Sequence, residues 1–226
     1  MSAAGSAELV DKVIADPPGV HPGAPQNVWS TARDAYVLLA DLVGPSTRSI
    51  ETGCGSSTAV FALRQADHVC ATLVQEEADA FLEWARRHDV DVGRVRFLIG
   101  PSERTLPVMT DDAFDLVFVD GNHSFPAPVV DWFYLVTKLK VGGVVFVDDV
   151  QLPAPRLVAD YMDSLAPTWQ RVQRTDKWAA FRLTDTPAPE NWALPRAGSS
   201  LFGTSGRFEY LGRRADALIH RTRSRR

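Results

Sequence analysis

Cysteine is scarce in this sequence, which has only Cys54 and Cys70 among 226 residues. Two thiols in segments that read as buried exclude the disulfide framework of a small secreted domain and indicate a reducing, cytoplasmic setting. Long apolar runs are also missing, because none approaches the roughly 18 residues that a membrane span needs. The first residues, MSAAGSAELVDKV, lack the basic start and apolar centre of a signal peptide. We therefore expect a cytoplasmic protein with no membrane partner.

A strong excess of one charge is absent as well. Lysine and arginine number 24 against 28 aspartates and glutamates, and the net charge of −4 gives no reason to expect nucleic acid as a partner. Arginine is nevertheless concentrated after Arg207, where only Glu209 and Asp216 oppose it. A charge run at a chain end is commonly a solvated terminus. The alternative is an arm that holds an anionic partner or substrate.

The chain divides into three predicted parts. Residues 1–25, rich in Ala, Gly and Pro, form a loose lead-in, residues 26–184 form one domain, and residues 185–226 form a Pro-, Gly- and Ser-rich extension with a basic end. Within the domain, amphipathic helices alternate with apolar strands, which read RSIET, HVCATLV, RVRFLI, FDLVFVD and VVFVDD. This alternation predicts an α/β fold with a doubly wound parallel sheet and helices on both faces.

Two further predictions concern the ends of this pattern. The apolar spacing from Thr31 to Val43 predicts a helix, with Thr31 and Asp34 as its capping pair. At the other end, the segments TWQRVQRT and KWAAFRLT are separated by Asp176. That spacing predicts a tight hairpin, so that the last strand runs antiparallel to its neighbours.

The stretch Glu51-Thr52-Gly53-Cys54-Gly55 lies between the first strand and the next helix. Two glycines so close together predict a tight turn where the backbone approaches a ligand, at the end of the sheet where α/β proteins bind. A phosphate-binding P-loop is excluded because no lysine follows Gly55, and the third glycine of a dinucleotide-binding turn is missing. The Glu51 carboxylate would repel phosphates and suits a cation such as an amino-acid ammonium group.

Three motifs in order, ETGCGSST, LVFVDGNHSF and LKVGGVVFVDDV, together with the antiparallel last strand, resemble those of the class I S-adenosylmethionine-dependent methyltransferases. Within that class the chain is similar to small O-methyltransferases of the catechol and macrocin types, methyltransferase family 24, from Val28 to Leu183. The resemblance implies a Rossmann-like, seven-stranded sheet in the order 3-2-1-4-5-7-6. It also implies S-adenosylmethionine as cofactor and O-methylation of a small hydroxylated molecule. The alternatives are a binding protein that keeps the fold without transferring methyl groups, and a nicotinamide-dependent enzyme, which the missing third glycine disfavours.

The resemblance also implies which residues hold the cofactor: Glu51, Gly53, Cys54 and Gly55 along its methionine part, Ser57 and Thr58 at the helix start, Ser102 beside the adenine, and Asp120. The family commonly has an acidic residue at the end of the second strand to hold both ribose hydroxyls. Here the chain reads Gln75-Glu76-Glu77, so either Gln75 or Glu76 is expected at the ribose. The alternative role of Glu76 and Glu77 is to favour a helix N-terminus.

Three aspartates follow two predicted strands, Asp120 after the fourth and Asp148 and Asp149 after the fifth. If those strands are neighbours, their tips lie about 5 Å apart. Three carboxylates so close repel each other unless they are protonated or bound to a cation. The catechol-type enzymes hold a metal at the corresponding positions, so Mg²⁺ is expected here, where it would lower the pKa of a substrate hydroxyl. The alternative is a turn or capping role for these aspartates in a metal-free enzyme.

His123 follows Asp120 by three residues, at the offset where the catechol type carries its proton-accepting lysine. Histidine as a residue type titrates near neutral pH, so His123 and Asp120 are the predicted catalytic residues. In the metal-free alternative, His123 acts as the base without help from Mg²⁺. A further alternative is that His123 caps the helix that starts at Ser124.

Methyl transfer also requires that water be excluded, so some part of the chain must cover the cofactor. Residues 26–30 are candidates, as are Trp132, Phe133 and Tyr134, whose alternative role is to pack a helix on the sheet. In the extension, Trp192 and Phe202 suit either a cover over the site or a homodimer contact. The identity of the small-molecule substrate does not follow from these residues.

Overall fold

The computed structural model describes residues 3–21, 30–110 and 113–185. The predictions for residues 22–29, for Trp192 and Phe202 in the extension, and for the arginine-rich end lie outside the described residues. The helices are Ala3–Ala15 (α1), Arg33–Leu42 (α2), Ser56–Leu63 (α3), Gln75–Arg87 (α4), Ser102–Thr105 (α5), Ala127–Val136 (α6) and Pro153–Ser164 (α7). The strands are Arg48–Thr52 (β1), Asp67–Thr72 (β2), Val95–Ile99 (β3), Phe114–Val119 (β4), Leu139–Val147 (β5), Trp169–Arg174 (β6) and Ala179–Leu183 (β7).

A seven-stranded sheet in the order β3-β2-β1-β4-β5-β7-β6 organises the described residues. Neighbouring strands are parallel from β3 to β5, whereas β7 is antiparallel to both β5 and β6. The predicted strand order and reversed last strand are therefore confirmed. The order reverses between β1 and β4, which places the switch point of the sheet between their ends. Within the described ranges, no helix has the length and apolar character to cross a membrane.

The central strands bury alternate residues on opposite faces of the sheet. On one face, Val117 and Val145 pack in a cluster that includes residues of α6 and α7. On the other face, Phe118 and Phe146 pack in a cluster that includes residues of α1, α2 and α3. Because both faces are covered, these strands are apolar throughout, which is the pattern that predicted a parallel sheet.

The fifth strand begins earlier than predicted. β5 starts at Leu139, so Gly142 and Gly143 lie inside the strand instead of in a turn before it. The pairing of β4 with β5 shifts register between Phe114 and Leu116. A Cβ atom on Gly143 would lie 2.8 Å from the Leu139 side chain, so glycine is what permits this irregularity.

The first residues of the chain differ from the predicted loose lead-in, because Ala3–Ala15 is helix α1. Val10 and Val13 are buried on its inner side, and Val10 packs in the same cluster as Tyr36 and Leu39 of α2. Packing against α2 and α3 stabilises a helix that its composition alone would leave marginal.

Helix α2 begins at Arg33, and its N-cap residue Ala32 provides no capping side chain. Thr31 instead donates its hydroxyl hydrogen to Asp148, and Asp34 accepts a hydrogen bond from Nε1 of Trp178 at 3.0 Å. The predicted capping pair of Thr31 and Asp34 is therefore wrong, because both side chains make tertiary contacts.

Candidate active site

A cavity of about 810 Å³ opens at the carboxyl ends of the parallel strands. Its walls include residues 52–57 after β1, Leu73 and Glu77 after β2, residues 100–103 after β3, and residues 120–124 after β4. Residues 17–21, Ser30, Tyr36 and Leu152 also line it. This position at the switch point and this volume are typical of a small-molecule site in an α/β sheet.

The backbone conformation explains why the turn after β1 requires a glycine at position 53. Gly53 has a φ of 95°, in the left-handed region that favours glycine, and a Cβ atom there would lie 2.3 Å from the carbonyl oxygen of Asp120. Gly55 differs, because its backbone is extended and a Cβ atom would meet only Val20, at 4.0 Å. Gly53 thus allows β1 to approach the Asp120 backbone, and Gly55 leaves open space beside the cavity.

Glu51 is fully buried behind this turn and braces it. Its Oε1 atom accepts a hydrogen bond from the Thr58 hydroxyl at 2.5 Å and lies 3.0 Å from Nε2 of His68. The Thr58 hydroxyl in turn accepts from the backbone N–H of Gly55 at 2.9 Å, and the Ser49 hydroxyl lies 2.9 Å from Nδ1 of His68. The Oε2 atom of Glu51 is buried and has no hydrogen-bond partner among the described residues. One oxygen of the predicted acidic residue therefore holds the turn, and the other is unpaired.

The remaining residues predicted at the turn fall on two sides of it. Cys54 and Ser57 line the cavity, whereas Thr58 lies behind the turn. Cys70 donates its thiol hydrogen to the carbonyl of Gly53 at 3.1 Å, and burial raises the pKa of that thiol well above its usual value. The Cys70 thiol therefore stays protonated and supports the turn from β2.

The carboxylate that faces the cavity after β2 belongs to Glu77. The side chains of Gln75 and Glu76, in the first turn of α4, are exposed and do not line the cavity. Glu77 points back toward the strand, where it accepts a hydrogen bond from the Thr72 hydroxyl and lies 3.5 Å from Nδ1 of His21. Burial raises the pKa of Glu77, but hydrogen bonds from His21 and Thr72 outweigh it and lower the pKa overall.

Two further predicted residues, Ser102 and Asp120, both reach the cavity. Ser102 is the first residue of the short helix α5 and lines the cavity together with its neighbours in the segment Gly100–Glu103. Leu73 and Ala127 contribute apolar surface to the cavity lining. Asp120 follows β4 and lines the cavity next to Gly121.

Asp120 and Asp148 meet at the tips of β4 and β5. Oγ1 of Thr31 lies 2.6 Å from Oδ2 of Asp148 and 3.3 Å from Oδ2 of Asp120, so one hydroxyl bridges the two carboxyl groups. Burial, followed by the nearby carboxylates of Asp148 and Glu51, raises the pKa of Asp120 well above its usual range. Burial also raises the pKa of Asp148, against the opposing hydrogen bond from Thr31.

His123 and Asp149 form a pair at the cavity wall. Nε2 of His123 lies 3.1 Å from Oδ2 of Asp149 and 4.0 Å from Oδ1 of Asp120. Because a carboxylate can only accept, Nε2 carries the hydrogen of the closer contact and Nδ1 keeps a lone pair. Asp149 is itself held by Nε2 of Gln151 at 2.7 Å and by Nζ of Lys177 at 3.6 Å. The arrangement orients the imidazole and leaves one nitrogen able to accept a proton.

A comparison with protein families bears directly on this geometry. The family model Methyltransf_24, described as a methyltransferase domain, matches residues 50–150. Together with the fold, this match over residues 50–150 supports a class I S-adenosylmethionine-dependent methyltransferase. The matched residues extend from β1 to just beyond β5 and include the glycine turn, Asp120, His123 and Asp149. A search of curated proteins finds no significant match.

Several solved structures share the fold of this protein. Cofactor-bound Rv0187 from MTB is 21% identical, with 81% of this chain and 90% of that chain covered and a TM-score of 0.59. The O-methyltransferase TomG from Streptomyces achromogenes, solved with SAM, is 20% identical, with 82% and 91% covered and a TM-score of 0.59. SAH-bound PaMTH1 from Podospora anserina is 18% identical, with 81% and 88% covered and a TM-score of 0.55. At these identities the likeness bears on the fold.

Within the described ranges, Asp120, Asp148 and Asp149 do not form the expected magnesium site. Only Asp120 lines the cavity, since Asp148 is buried behind it and Asp149 is paired with His123 and Lys177. Among the described residues, no group of three or more histidine, cysteine, aspartate or glutamate side chains is arranged to hold a metal ion. The repulsion that suggested a metal is relieved by the Lys177 ammonium group beside Asp149 and by the raised pKa of Asp120.

We expect Asp148→Asn to stabilise the protein at alkaline pH. Because the pKa of Asp148 is raised in the folded state, the folded protein binds more protons than the unfolded chain between the two pKa values, and stability falls as pH rises through the folded pKa. Removal of the buried charge should raise the Tm at pH 8 by about 2–6 °C, which corresponds to about 1–2 kcal/mol. Thermal unfolding at pH 8 and pH 4 measures this, and the gain should disappear at pH 4.

The exposed Asp176 in the β6–β7 hairpin provides the matched control for this substitution. Asp176→Asn should leave the Tm unchanged at both pH values. An Asp148→Asn protein that is less stable than the wild type at pH 8 would contradict the view that the buried charge is unfavourable.

Three residues at the site were not predicted from the sequence: Tyr36, Glu77 and Lys177. Lys177 lies between β6 and β7, where its Nζ donates to the carbonyl of Ser30 at 2.7 Å as well as facing Asp149. The available signal was the reversed β7, whose start lies at the same edge of the sheet as the ends of β4 and β5. Tyr36 was hidden because its place in α2 looked like an ordinary core position.

Trp132, Phe133 and Tyr134, which were predicted as candidates for a cover, do not line the cavity. Trp132 and Tyr134 pack against the core cluster on the α6 side, and Trp132 meets Tyr161 edge to face with ring centres 5.4 Å apart. Phe133 is exposed. The packing alternative therefore describes Trp132 and Tyr134, and Ser30 is the described residue of segment 26–30 that lines the cavity.

Proposed function

We propose that this methyltransferase transfers a methyl group from S-adenosylmethionine to a hydroxyl of a small molecule, with His123 as proton acceptor and no divalent metal. The observation that supports this proposal is the His123–Asp149 pair at the wall of a cavity that has groups suited to each part of the cofactor. The name O-methyltransferase of the similar structure TomG favours a hydroxyl acceptor. A cytoplasmic location and a homodimer stay predictions.

The cavity residues suit the cofactor part by part. The Glu77 carboxylate offers two acceptor oxygens for the ribose hydroxyls, a role that was predicted for Gln75 or Glu76. Asp120, which lines the cavity, suits the ammonium group, while the predicted Glu51 lies fully buried behind the turn with its Oε2 unpaired among the described residues. The start of α3 at Ser56 has free backbone N–H groups suited to a carboxylate. Apolar surface and Ser102 at the other end suit the adenine.

His123 receives the proton that the acceptor hydroxyl must lose. Bound S-adenosylmethionine supplies an electrophilic methyl group on a sulfonium. The acceptor oxygen would bond to that methyl carbon as the carbon–sulfur bond breaks and S-adenosylhomocysteine leaves, and Nδ1 of His123 has the lone pair to take the hydroxyl proton. Asp149 stabilises the resulting imidazolium through Nε2, and Gln151 and Lys177 keep the Asp149 carboxylate in place.

Tyr36 is the candidate for orienting the acceptor. Tyr36 lines the cavity, and its hydroxyl oxygen accepts a hydrogen bond from the backbone N–H of Thr31 at 3.1 Å. Burial, with a further contribution from Asp120, raises the pKa of Tyr36, so the hydroxyl stays protonated. Its hydrogen is therefore available to donate to the acceptor. Leu152 adds an apolar contact on the same side as a means of excluding water.

Calorimetric titration with S-adenosylhomocysteine, once with Mg²⁺ and once with EDTA, tests the proposal. We expect micromolar binding of equal strength in both conditions. Methyl transfer from radiolabelled S-adenosylmethionine to a panel of small phenols and sugars should also be insensitive to EDTA. Activity that EDTA abolishes and Mg²⁺ restores would contradict the metal-free mechanism, and absence of cofactor binding would contradict the proposed reaction.

The alternative of a binding protein without transferase activity has lost its support. It was motivated by Gln75, which stands where the family commonly has a ribose-binding acid. Glu77 supplies a carboxylate at the cavity from two residues further along. The difference from the family pattern is therefore that the carboxylate stands two residues later in the chain. This difference gives no reason to expect weak cofactor binding.

A further inference from the structure

The N-terminal strap, residues 16–21, follows helix α1 and forms one wall of the cavity. Pro17, Pro18, Gly19, Val20 and His21 all line the cavity, although the segment that matches the family model begins only at residue 50. The strap therefore contributes to the site from outside the matched domain. It lies beside the glycine turn and α4, on the side where Glu77 faces the cavity.

Hydrogen bonds and packing hold the strap on the body of the protein. The carbonyl of Asp16 accepts a hydrogen bond from Nε1 of Trp84 at 2.7 Å, and its carboxylate lies 3.0 Å from Nε2 of His88. Four residues further on, Val20 is buried in a cluster with Cys54 of the glycine turn and with Trp84. The strap thus joins α4 to the glycine turn, and Pro17 and Pro18 restrict its backbone before any ligand binds.

The end of the strap meets the Glu77 carboxylate. Nδ1 of His21 lies 3.5 Å from Oε1 of Glu77, while the Thr72 hydroxyl donates to Oε2. One oxygen of Glu77 is therefore held from β2 and the other from the strap. Each oxygen keeps a second lone pair, so the fixed carboxylate can still accept a hydrogen bond at each end.

We propose that the strap is a clamp for the ribose of the bound nucleoside, in which His21 positions the Glu77 carboxylate to accept hydrogen bonds from both ribose hydroxyls. This inference rests on the proposed function, because it takes S-adenosylmethionine as the nucleoside. His21 is a positioning residue, since it acts on the ligand through Glu77. A vicinal diol needs two acceptors in a fixed relation, and a carboxylate held at both oxygens provides them.

A double-mutant cycle in the full-length protein tests the clamp, with S-adenosylhomocysteine as the ligand in calorimetric titrations. We expect His21→Leu to weaken binding about five- to thirtyfold, Glu77→Gln to weaken it at least as much, and the double variant to bind no more weakly than Glu77→Gln alone. His21→Gln, whose amide can still donate to the carboxylate, should recover most of the affinity. Arg86→Leu removes an exposed cation paired with Glu83 on the same helix and should leave the Kd unchanged.

A second measurement separates positioning from a general effect on the fold. Adenosine and 2′-deoxyadenosine compete with S-adenosylhomocysteine, and the preference of the wild type for adenosine should fall in His21→Leu, whereas a purely structural defect would weaken both ligands alike. An unchanged Kd or an unchanged preference in His21→Leu, or additive effects in the cycle, would overturn the clamp while leaving the proposed function standing. A wild-type protein that fails to bind S-adenosylhomocysteine would overturn both.

Discussion

Gly53→Ala should abolish measurable binding of S-adenosylhomocysteine and destabilise the folded protein by about 2–4 kcal/mol, or roughly 4–16 °C in Tm. The added Cβ atom would lie 2.3 Å from the carbonyl oxygen of Asp120, and a backbone atom cannot rotate away as a side chain can. Alanine is also strained at a φ of 95°. Relief requires that the end of β1 move away from the end of β4, and that movement deforms the floor of the cavity. Thermal unfolding and calorimetric titration measure the two effects.

Gly55→Ala is the matched control, because the second glycine of the turn has neither constraint. Its backbone is extended, and a Cβ atom would meet only Val20, at ordinary contact distance. We expect the Tm of Gly55→Ala to stay close to that of the wild type, while cofactor affinity falls because the methyl group narrows the space beside the turn. Equal losses of Tm in the two variants would contradict the different roles assigned to the two glycines.

His123→Ala should lower kcat for methyl transfer by about 10²–10⁴-fold, the usual contribution of a positioned acid–base group. The affinity for S-adenosylhomocysteine should remain unchanged, because Glu77 and the glycine turn do not depend on His123. The measurement is transfer of a radiolabelled methyl group to whichever phenol or sugar the wild type accepts, together with a calorimetric titration of each protein.

Asp149→Asn provides a graded comparison for the loss of His123. The amide keeps the shape of the carboxylate but no longer stabilises an imidazolium, so we expect kcat to fall, by no more than in His123→Ala. If His123→Ala retained full activity, the proton would have to leave by another route and the proposed role of His123 would be wrong. Activity in Asp149→Asn that equals the wild type would remove Asp149 from the mechanism but leave His123 in place.

The fold was predictable because its central strands are buried on both faces. Segments such as FDLVFVD and VVFVDD contain almost no polar residue until the strand ends, and this pattern distinguishes a covered parallel sheet from an exposed one. The hairpin around Asp176 was predictable because only a short turn separates two strand-like segments. Helix α1 was not, because alanine and glycine near its start give no periodic signal and its stability comes from packing on α2 and α3.

The site was only partly predictable, because side-chain direction decides which of several adjacent polar residues reaches the cavity. Gln75, Glu76 and Glu77 are consecutive polar residues that the sequence does not distinguish. Of these three, Glu77 is the one whose side chain points back from α4 to the end of β2. The three aspartates at the strand ends suggested a metal because the sequence does not show that Lys177 and Thr31 approach them. Local sequence patterns do not predict contacts between residues so far apart in the chain.

Lys177 bonds to the carbonyl of Ser30 across 147 positions of sequence, and Thr31 bonds to Asp148 across 117. These two separations have a consequence for synthesis on the ribosome. Contacts of such length form late in folding, because the chain between them must first be ordered. A nascent chain that has emerged only through β5 has the glycine turn, Asp120 and His123, but it lacks the lysine that faces Asp149. The His123–Asp149 pair is therefore complete only when the final hairpin docks. A truncated or stalled product would contain most of the site's residues but would lack Lys177, which holds Asp149 in place.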